Sequence, residues 1–400
     1  MAKLLWGKVY YQDRFAGILS EEPGHSIAFT YDPSYLNGKN PAIAHTLPLK
    51  EEPFISQMGL PPFFDNLVSE GWLEVAQKRL LNRQASRFEL LLAFGYDCIG
   101  AVSVLDPDPI KLQKTSIDMT DMKEVAVLAS RASLSGVQPK LALIEREGKF
   151  YSTQAGELST HIAKFPSAAH KHDDIIYNEY LISLAFQALL PGDSVAQLQI
   201  GSVEGVKEES LIIKRFDRAP GGKRIHFEEF NQLLGRMSQD KYEGAYEDMA
   251  RFINTTPGCL EIETYRLFLR ILAGLLLGNT DMHLKNFAMF HTEAGLRLTP
   301  SYDQLSSVLY KYKNIALSMN GSKDLLLGNL KANAIVRLGE GFGLKKETIR
   351  MAFDHLAAHK ESAKEKILEA KYGHFYFRNK LINIMDARWN GTFASIGALL

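Results

Sequence analysis

The sequence predicts an α+β protein in which a small antiparallel sheet precedes a mostly helical region. Residues 140–144 and 149–153 alternate apolar and polar side chains across a Glu-Arg-Glu-Gly turn, as paired strands do. Residues 209–216 form a strongly apolar strand candidate. From residue 227 onward, almost every periodic segment has helical spacing. These three observations together predict that a sheet comes first along the chain and that helices follow it.

Composition is that of a globular chain without a strong electrostatic preference. The 400 residues suffice for two or three compact units, and 46% hydrophobic side chains can fill their cores. A disordered or low-complexity protein is excluded. Lys+Arg and Asp+Glu both number 46, so no overall field draws the chain onto nucleic acid or an anionic membrane. Nucleic-acid contact is expected to be local or to pass through a partner.

The cysteines and the apolar runs predict a cytoplasmic protein with no membrane span. Cys98 and Cys259 lack the spacing of a zinc site or a disulfide framework, so two buried free thiols are expected. Charge interrupts the N-terminal apolar run too early for a signal peptide. Residues 267–277 form the longest apolar candidate, but they include Arg270 and indicate a buried helix.

The first predicted module covers residues 1–110. Two strand candidates, residues 4–11 and 14–19, flank a turn at Gln12 and Asp13. Helical spacing follows at residues 70–81 and 88–94, and glycines and prolines then mark a linker. We expect a small α+β module here.

Two further modules are predicted beyond the linker. Residues 111–220 contain the paired strands, a third strand candidate at 159–165, a helix at 178–190 and the apolar strand at 209–216. Residues 221–400 form the helical region, which ends in helical stretches of mixed charge.

The polar loop at residues 278–287 is the most distinctive local signal. Asp281 and Asn286 have the D-x-x-x-x-N spacing of protein kinases, in which the Asp accepts or orients the acceptor hydroxyl proton and the Asn binds magnesium. An Asx turn with an ordinary cap is the alternative at this spacing. The surrounding residues must decide between the two.

Asp303 supplies that context. Two strand-like runs, residues 287–290 and 296–298, flank a turn and predict a hairpin that returns Asp303 to the neighbourhood of Asn286. Magnesium needs hard oxygen ligands at two separated points, so Asp303 is a candidate metal ligand. The alternative is a helix cap for the residues after Leu305.

A kinase also needs a lysine on a strand to hold the nucleotide phosphates, and Lys164 lies inside an apolar strand candidate. An edge-strand lysine that reaches water is the alternative. Glu179, on the next predicted helix, is a candidate ion-pair partner. Upstream, residues 133–140 form a small polar loop whose backbone amides could cover phosphates, although one glycine makes a weak motif.

Read together, these motifs resemble the HipA family of toxin–antitoxin kinases. The likeness rests on Ser133 to Lys140, Thr280 to Phe287, and the pair Tyr302 and Asp303. It extends to residues 63–67, 99–102, 214–218, 224–230 and 241–244. The resemblance implies a two-lobed, protein-kinase-like fold with an N-terminal α/β subdomain and a mostly helical C-terminal lobe.

The resemblance also implies roles for individual residues. Asp281 would accept the proton, and Asn286 and Asp303 would hold Mg²⁺. The residues implied to bind ATP are Ser135, Gly136, Val137, Gln138, Pro139, Lys140, Lys164, Lys214, Arg215, Phe216, His283, Lys285 and Tyr302. His283 could equally be a core histidine bonded to the backbone, and Arg215 could form a structural ion pair with Asp217.

Regulation by phosphorylation is a further implication of the resemblance. Ser133 or Ser135 would be an autophosphorylation site, where an added charge of about −2 would evict or reshape the loop. Two residues depart from the family pattern. Lys214 stands where a carboxylate is common, and Pro139 stiffens a loop that is expected to move.

The implied activity is transfer of the ATP γ-phosphate to a serine or threonine of a protein, with an aminoacyl-tRNA synthetase as substrate class and growth arrest as the result. A helix-turn-helix antitoxin resembling HipB would bind the kinase and carry it to DNA. Two alternatives stay open. One is a catalytically weak or inactive regulator that acts with the antitoxin, and the other is a kinase of small molecules.

Overall fold

The computed structural model describes residues 4–81, 84–108, 127, 132–134, 138–166, 174–310 and 312–400. Ser135, Gly136 and Val137, predicted above to bind ATP, lie outside the described residues. The chain divides into two compact units, one formed by Met1–Ser167 with Gly201–Gln239 and the other by Ala168–Ile200 with Asp240–Leu400.

The described strands and helices are numbered here in chain order. The strands are β1 Trp6–Tyr11, β2 Arg14–Glu21, β3 Ile27–Tyr31, β4 Phe54–Ser56, β5 Val102–Leu105, β6 Lys140–Arg146, β7 Lys149–Ser152, β8 His161–Lys164, β9 Leu198–Ser202, β10 Glu209–Lys214, β11 Phe227–Glu229, β12 Ala288–Thr292 and β13 Gly295–Leu298. The helices are α1 Pro33–Asn37, α2 Pro62–Asp65, α3 Gly71–Leu80, α4 Arg87–Phe94, α5 Ile175–Leu189, α6 Phe230–Leu233, α7 Tyr246–Thr255, α8 Glu261–Leu276, α9 Ala332–Gly341, α10 Lys346–Glu369 and α11 Phe375–Gly391.

The first unit is built on two five-stranded sheets. One sheet has the order β4-β3-β2-β1-β5, and the other has the order β7-β6-β8-β10-β9, with the boundary of the unit running through β9. The β1–β2 hairpin turns at Gln12, whose φ is +53°. Helix α4 begins with a capping box in which Ser86 and Glu89 satisfy each other's backbone N–H groups. Phe29, Phe64 and Phe94 are fully buried in the core of this unit.

The second unit is mainly helical. Helices α5 and α10 pack along each other, and α11 packs against α10. Helix α8 is buried over most of its length, because its sequence is apolar on nearly every face after the first turn. The β12–β13 hairpin pairs Met289 with Leu298 and Thr292 with Gly295.

The predicted fold class is confirmed, and the predicted strands at residues 140–144, 149–153 and 209–216 and the helix at 178–190 are present within a few residues of their expected bounds. Both cysteines are free thiols; Cys98 is buried as predicted, whereas Cys259 is only partly buried. Within the described ranges, no helix combines the length and the apolar character needed to cross a membrane. The division into modules at residues 110 and 220 remains a prediction.

Candidate active site

The candidate catalytic loop begins at Gly278, just after α8. The φ of Gly278 is +81°, a left-handed conformation that glycine adopts without strain. A Cβ atom at this position would lie 2.7 Å from Ser306 Oγ and 2.8 Å from Ile384 Cγ2. The chain can therefore leave the helix this close to its neighbours only with glycine.

Hydrogen bonds from both sides hold the start of the loop. The Thr280 N–H donates to Ser307 Oγ at 2.7 Å, and Thr280 Oγ1 donates to the Tyr312 carbonyl at 2.7 Å. Asn279 Oδ1 accepts from the Asp281 N–H at 3.0 Å, which forms an Asx turn. The turn that the sequence allowed is thus made by Asn279, and the Asp281 side chain takes no part in it.

Asp281 is partly buried, and the Tyr242 hydroxyl donates a hydrogen bond to its Oδ1 at 2.9 Å. Burial raises the pKa of Asp281 above its usual value, and Asp303 acts in the same direction. The Tyr242 hydrogen bond and the charge of Lys241 oppose that rise. A carboxylate with a raised pKa accepts a proton more readily than an exposed one.

Asn286 and Asp303 are brought together as the sequence predicted. The Asn286 Nδ2 lies 3.4 Å from Asp303 Oδ2, after the β12–β13 hairpin reverses the chain. No helix starts directly after Asp303 in the described chain, because the next helical turn begins at Ser307. Asp303 also has a φ of +54°, a costly backbone conformation that is found preferentially at functional sites. The helix-cap alternative is therefore wrong.

His283, Lys285 and Tyr302 lie around this pair. His283 Nδ1 accepts from the Lys285 N–H at 3.2 Å, so the histidine makes the backbone bond that the sequence allowed. The Tyr302 hydroxyl donates to the Lys285 carbonyl at 2.8 Å, which ties the segment before Asp303 to the loop. The six residues predicted for this part of the site are therefore close in space: Asp281, His283, Lys285, Asn286, Tyr302 and Asp303.

A carboxylate and an amide on separate segments form a donor set that suits a hard divalent cation such as Mg²⁺. Asn286 Oδ1 accepts from the His283 N–H at 3.0 Å, while its nitrogen faces Asp303. Coordination through the amide oxygen therefore requires the Asn286 amide to turn over. The Asp303 carboxylate needs no such change.

In the first unit, two of the predicted phosphate-binding lysines face each other. Lys140 on β6 and Lys164 on β8 are directly paired across the sheet, and their exposed fractions are 5% and 8%. Directly opposed residues point to the same face of the sheet, so the two lysine side chains start from neighbouring positions on one face. Strand β8 lies between β6 and β10, so the edge-strand alternative for Lys164 is wrong.

The described part of the loop before β6 is attached to β8. Gln138 Nε2 donates to the Phe165 carbonyl at 2.7 Å, and the Pro139 carbonyl accepts from the Phe165 N–H at 2.9 Å. Ser133 is 3% exposed, and its hydroxyl donates to the Leu67 carbonyl at 2.6 Å. Ser133 is thus buried in this arrangement.

The side chains of residues 214–216 differ in their exposure and in their contacts. Lys214 is exposed at the end of β10, and Phe216 packs on Phe227 with ring centroids 5.2 Å apart. Arg215 is buried and donates to both carboxylate oxygens of Asp217, at 2.9 and 2.7 Å. The structural ion pair is therefore present, and a nucleotide contact at Arg215 would have to use the backbone.

Tyr242 contacts Asp281, and the sequence alone assigns it no role. Its segment, residues 241–244, stands out in the sequence only through its likeness to a family segment. Its hydrogen bond to Asp281 joins residues 39 positions apart, which no local spacing could indicate.

Comparisons with known proteins agree on one family. The HipA N-terminal domain family matches residues 7–105, and the HipA-like C-terminal domain family matches residues 132–364. Y4mE of Sinorhizobium fredii, whose name carries the word kinase, is 27% identical over 90% of this chain and 91% of that relative. The serine/threonine-protein kinase toxin HipA of Shewanella oneidensis is 27% identical over 87% of this chain and 86% of its own length.

A solved structure agrees at the level of the fold. A Shewanella oneidensis chain, from a structure described as a toxin–antitoxin system of HipA, HipB and operator DNA, superposes with a TM-score of 0.77. The match covers 98% of this chain and 99% of that chain at 22% identity. Since the C-terminal family alone matches more than half of the sequence, the chain belongs to the HipA family.

Proposed function

We propose that the chain is an ATP-dependent serine/threonine protein kinase that acts as a toxin. The observation that carries the proposal is the grouping of Asp281, Asn286 and Asp303, in which one loop and one hairpin bring an amide within 3.4 Å of a carboxylate. Phosphoryl transfer is catalysed mainly by positioning and by electrostatic stabilisation, and this grouping supplies both kinds of residue.

Each group has a defined task in this proposal. Asp281 accepts the proton of the serine or threonine hydroxyl, and its raised pKa favours that step. Lys140 and Lys164 hold the nucleotide phosphates, because their paired positions on neighbouring strands give one face of the sheet two cationic side chains. Ser135 to Pro139 are proposed to contact the phosphates, and His283, Lys285, Tyr302 and residues 214–216 are proposed to contact the nucleotide.

Magnesium is the proposed cofactor beside ATP. Asn286 and Asp303 would hold it, and the bound ion would neutralise charge on the transferred phosphate. The left-handed backbone of Asp303 supports this assignment, because a strained position needs a reason to persist.

The proposal also includes an antitoxin partner and a protein substrate. A helix-turn-helix antitoxin resembling HipB would bind the kinase, and DNA contact would occur mainly within that complex. The equal numbers of acidic and basic residues support indirect DNA binding. The proposed substrate is a cellular protein of the aminoacyl-tRNA synthetase class, and the proposed consequence is growth arrest in the cytoplasm.

Autophosphorylation of Ser133 or Ser135 is proposed as the regulatory step. Ser133 is buried and hydrogen-bonded to Leu67, so its segment must leave this position before the hydroxyl can accept phosphate. A phosphate on Ser133 could not return to the same place, since a dianion would be buried against a carbonyl. Modification would thus keep the segment out.

Turnover of γ-labelled ATP tests the proposal. The parent chain with magnesium should place label on protein serine or threonine, and Asp303→Asn should reduce the rate by about a hundredfold or more while keeping its thermal stability. ATP binding without turnover would favour the inactive regulator. Label on a small molecule, but not on protein, would favour a small-molecule kinase.

A further inference from the structure

Tyr242 contacts the candidate catalytic carboxylate directly. Among the residues that the structure describes, it is the one whose side chain donates a hydrogen bond to the Asp281 carboxylate, at 2.9 Å to Oδ1. Oδ2 is the oxygen left for another donor. A kinase aspartate needs one oxygen free for the acceptor hydroxyl and a fixed orientation for the carboxylate.

The Tyr242 ring is held against the catalytic loop by its neighbours. The Lys241 carbonyl accepts from the Leu284 N–H at 3.1 Å. The Tyr242 ring meets His283 edge to face, with centroids 4.9 Å apart and an interplanar angle of 89°. Both contacts are with the loop that carries Asp281, so they keep the Tyr242 hydroxyl beside that carboxylate.

A third segment holds the chain around Tyr242 from the other side. The Gly244 carbonyl accepts from the Ser318 N–H at 2.9 Å and from Ser318 Oγ at 2.8 Å. The Ala316 N–H, two residues earlier, donates to the Thr280 carbonyl at 2.9 Å. The segments that carry Tyr242, Asp281 and Ser318 therefore support one another, and the hydroxyl needs little reorganisation to hold Asp281.

Exposure separates Tyr242 from a tyrosine that only fills space. Tyr246, four residues further on, is fully buried, whereas 47% of Tyr242 remains accessible. An aromatic residue that reaches a half-buried carboxylate from an exposed position lies on the side from which an acceptor can approach. Packing alone does not account for that arrangement.

We infer that Tyr242 is a positioning residue, which holds one oxygen of Asp281 so that the other faces the acceptor hydroxyl. The inference rests on the proposed kinase function. In the transfer step, the acceptor oxygen forms a bond to the γ-phosphorus of ATP, the bond from that phosphorus to the β-γ bridging oxygen breaks, and ADP leaves. Asp281 takes the hydroxyl proton, while Tyr242 keeps its own.

The test is the variant Tyr242→Phe, which removes one oxygen atom and retains the ring. We expect the rate of transfer to the chain's own serine and threonine residues, at saturating MgATP, to fall about tenfold to a hundredfold. The dissociation constant of MgATP, measured by calorimetry, should change less than about twofold. Tyr376→Phe, at a tyrosine that is 68% exposed on α11, is the matched control and should behave as the parent.

A double-mutant cycle separates positioning from general structural damage. In the Asp281→Asn background, Tyr242→Phe should cause no further loss, because the group that it holds has already been replaced. The inference is overturned if Tyr242→Phe transfers phosphate as fast as the parent, if its loss is additive with Asp281→Asn, or if MgATP binding weakens in proportion to the rate. A parent that itself transfers no phosphate would instead overturn the proposed function.

Discussion

Asp97 and Asp217 in the first unit and Asp281 in the second unit have opposite surroundings. In the first unit, Asp97 and Asp217 are each paired with Arg215 and Arg218, at nitrogen–oxygen distances from 2.7 to 3.2 Å. In the second unit, the Asp281 carboxylate is held by a neutral tyrosine hydroxyl.

The pKa values follow from those surroundings. Burial alone would raise the pKa of Asp217, but the charges of Arg215 and Arg218 lower it to about 2. Burial raises the pKa of Asp281, and its neighbours do not cancel that effect. A carboxylate surrounded by guanidinium groups has no capacity left for a substrate, whereas Asp281 retains it. Asp97 and Asp217 therefore stabilise the fold, and Asp281 is available for chemistry.

The largest expected effect is on activity. Asp281→Asn should lower the phosphate transfer rate by about 10³-fold or more, because the proton acceptor is lost. Its stability to urea should stay equal or rise slightly, since the raised pKa shows that the ionised carboxylate is unfavourable in the fold at neutral pH. A clear loss of stability would remove the contrast with Asp97 and Asp217.

Asp97→Asn should show the opposite behaviour to Asp281→Asn, because its main effect should be a loss of stability. Removing this charge leaves Arg215 and Arg218 buried with one carboxylate between them, at a cost of about 3 kcal/mol in the free energy of unfolding. Denaturant titration measures the change, and Asp13→Asn on the exposed β1–β2 turn is the control, with an expected change below about 0.5 kcal/mol. Equal values for the two variants would contradict the role of the cluster.

Acid should lower the free energy of unfolding, because protonation of Asp217 removes its pairing with Arg215 and Arg218. Its folded-state pKa of about 2 lies below the ordinary value of 3.8, so its contribution is present above pH 3.8 and is lost as the pH falls toward 2. The lost stability amounts to about 2 kcal/mol. Unfolding free energies measured between pH 5 and 2 should fall less steeply in Asp217→Asn than in the parent. Parallel curves would show that Asp217 is not the titrating group.

The smallest expected effect comes from a neutral contact in the first unit. Ser133→Ala removes the hydrogen bond to the Leu67 carbonyl and should cost about 1 kcal/mol. Denaturant titration beside Asp97→Asn provides the comparison. A cost as large as that of Asp97→Asn would mean that neutral bonds, rather than charges, dominate the stability of this unit.

Local spacing made the catalytic group predictable. Asp281 and Asn286 lie on one loop, and an antiparallel hairpin necessarily brings Asp303 back beside that loop. The sheet at residues 140–164 was predictable for a similar reason, because a short turn joins strands of clear alternation. In both cases sequence neighbours become spatial neighbours.

Contacts between distant segments were not predictable. Asp97 meets Arg215 across 118 positions and Arg218 across 121, and nothing in the local pattern indicates either pairing. Strand β3 was missed because residues on both of its faces are buried, which removes the alternation that marks a strand. Strand β4 has only 3 residues, too few for any period.

The most direct test of the central claim maps phosphate on the chain itself. Parent protein, first dephosphorylated and shown to bind ATP, is incubated with ATP and magnesium beside Asp281→Gln, and both are analysed by intact mass and peptide sequencing. The account predicts phosphate on Ser133 or Ser135 in the parent and none in the variant. A parent that stays unmodified, or an Asp281→Gln chain that is modified equally, would contradict it.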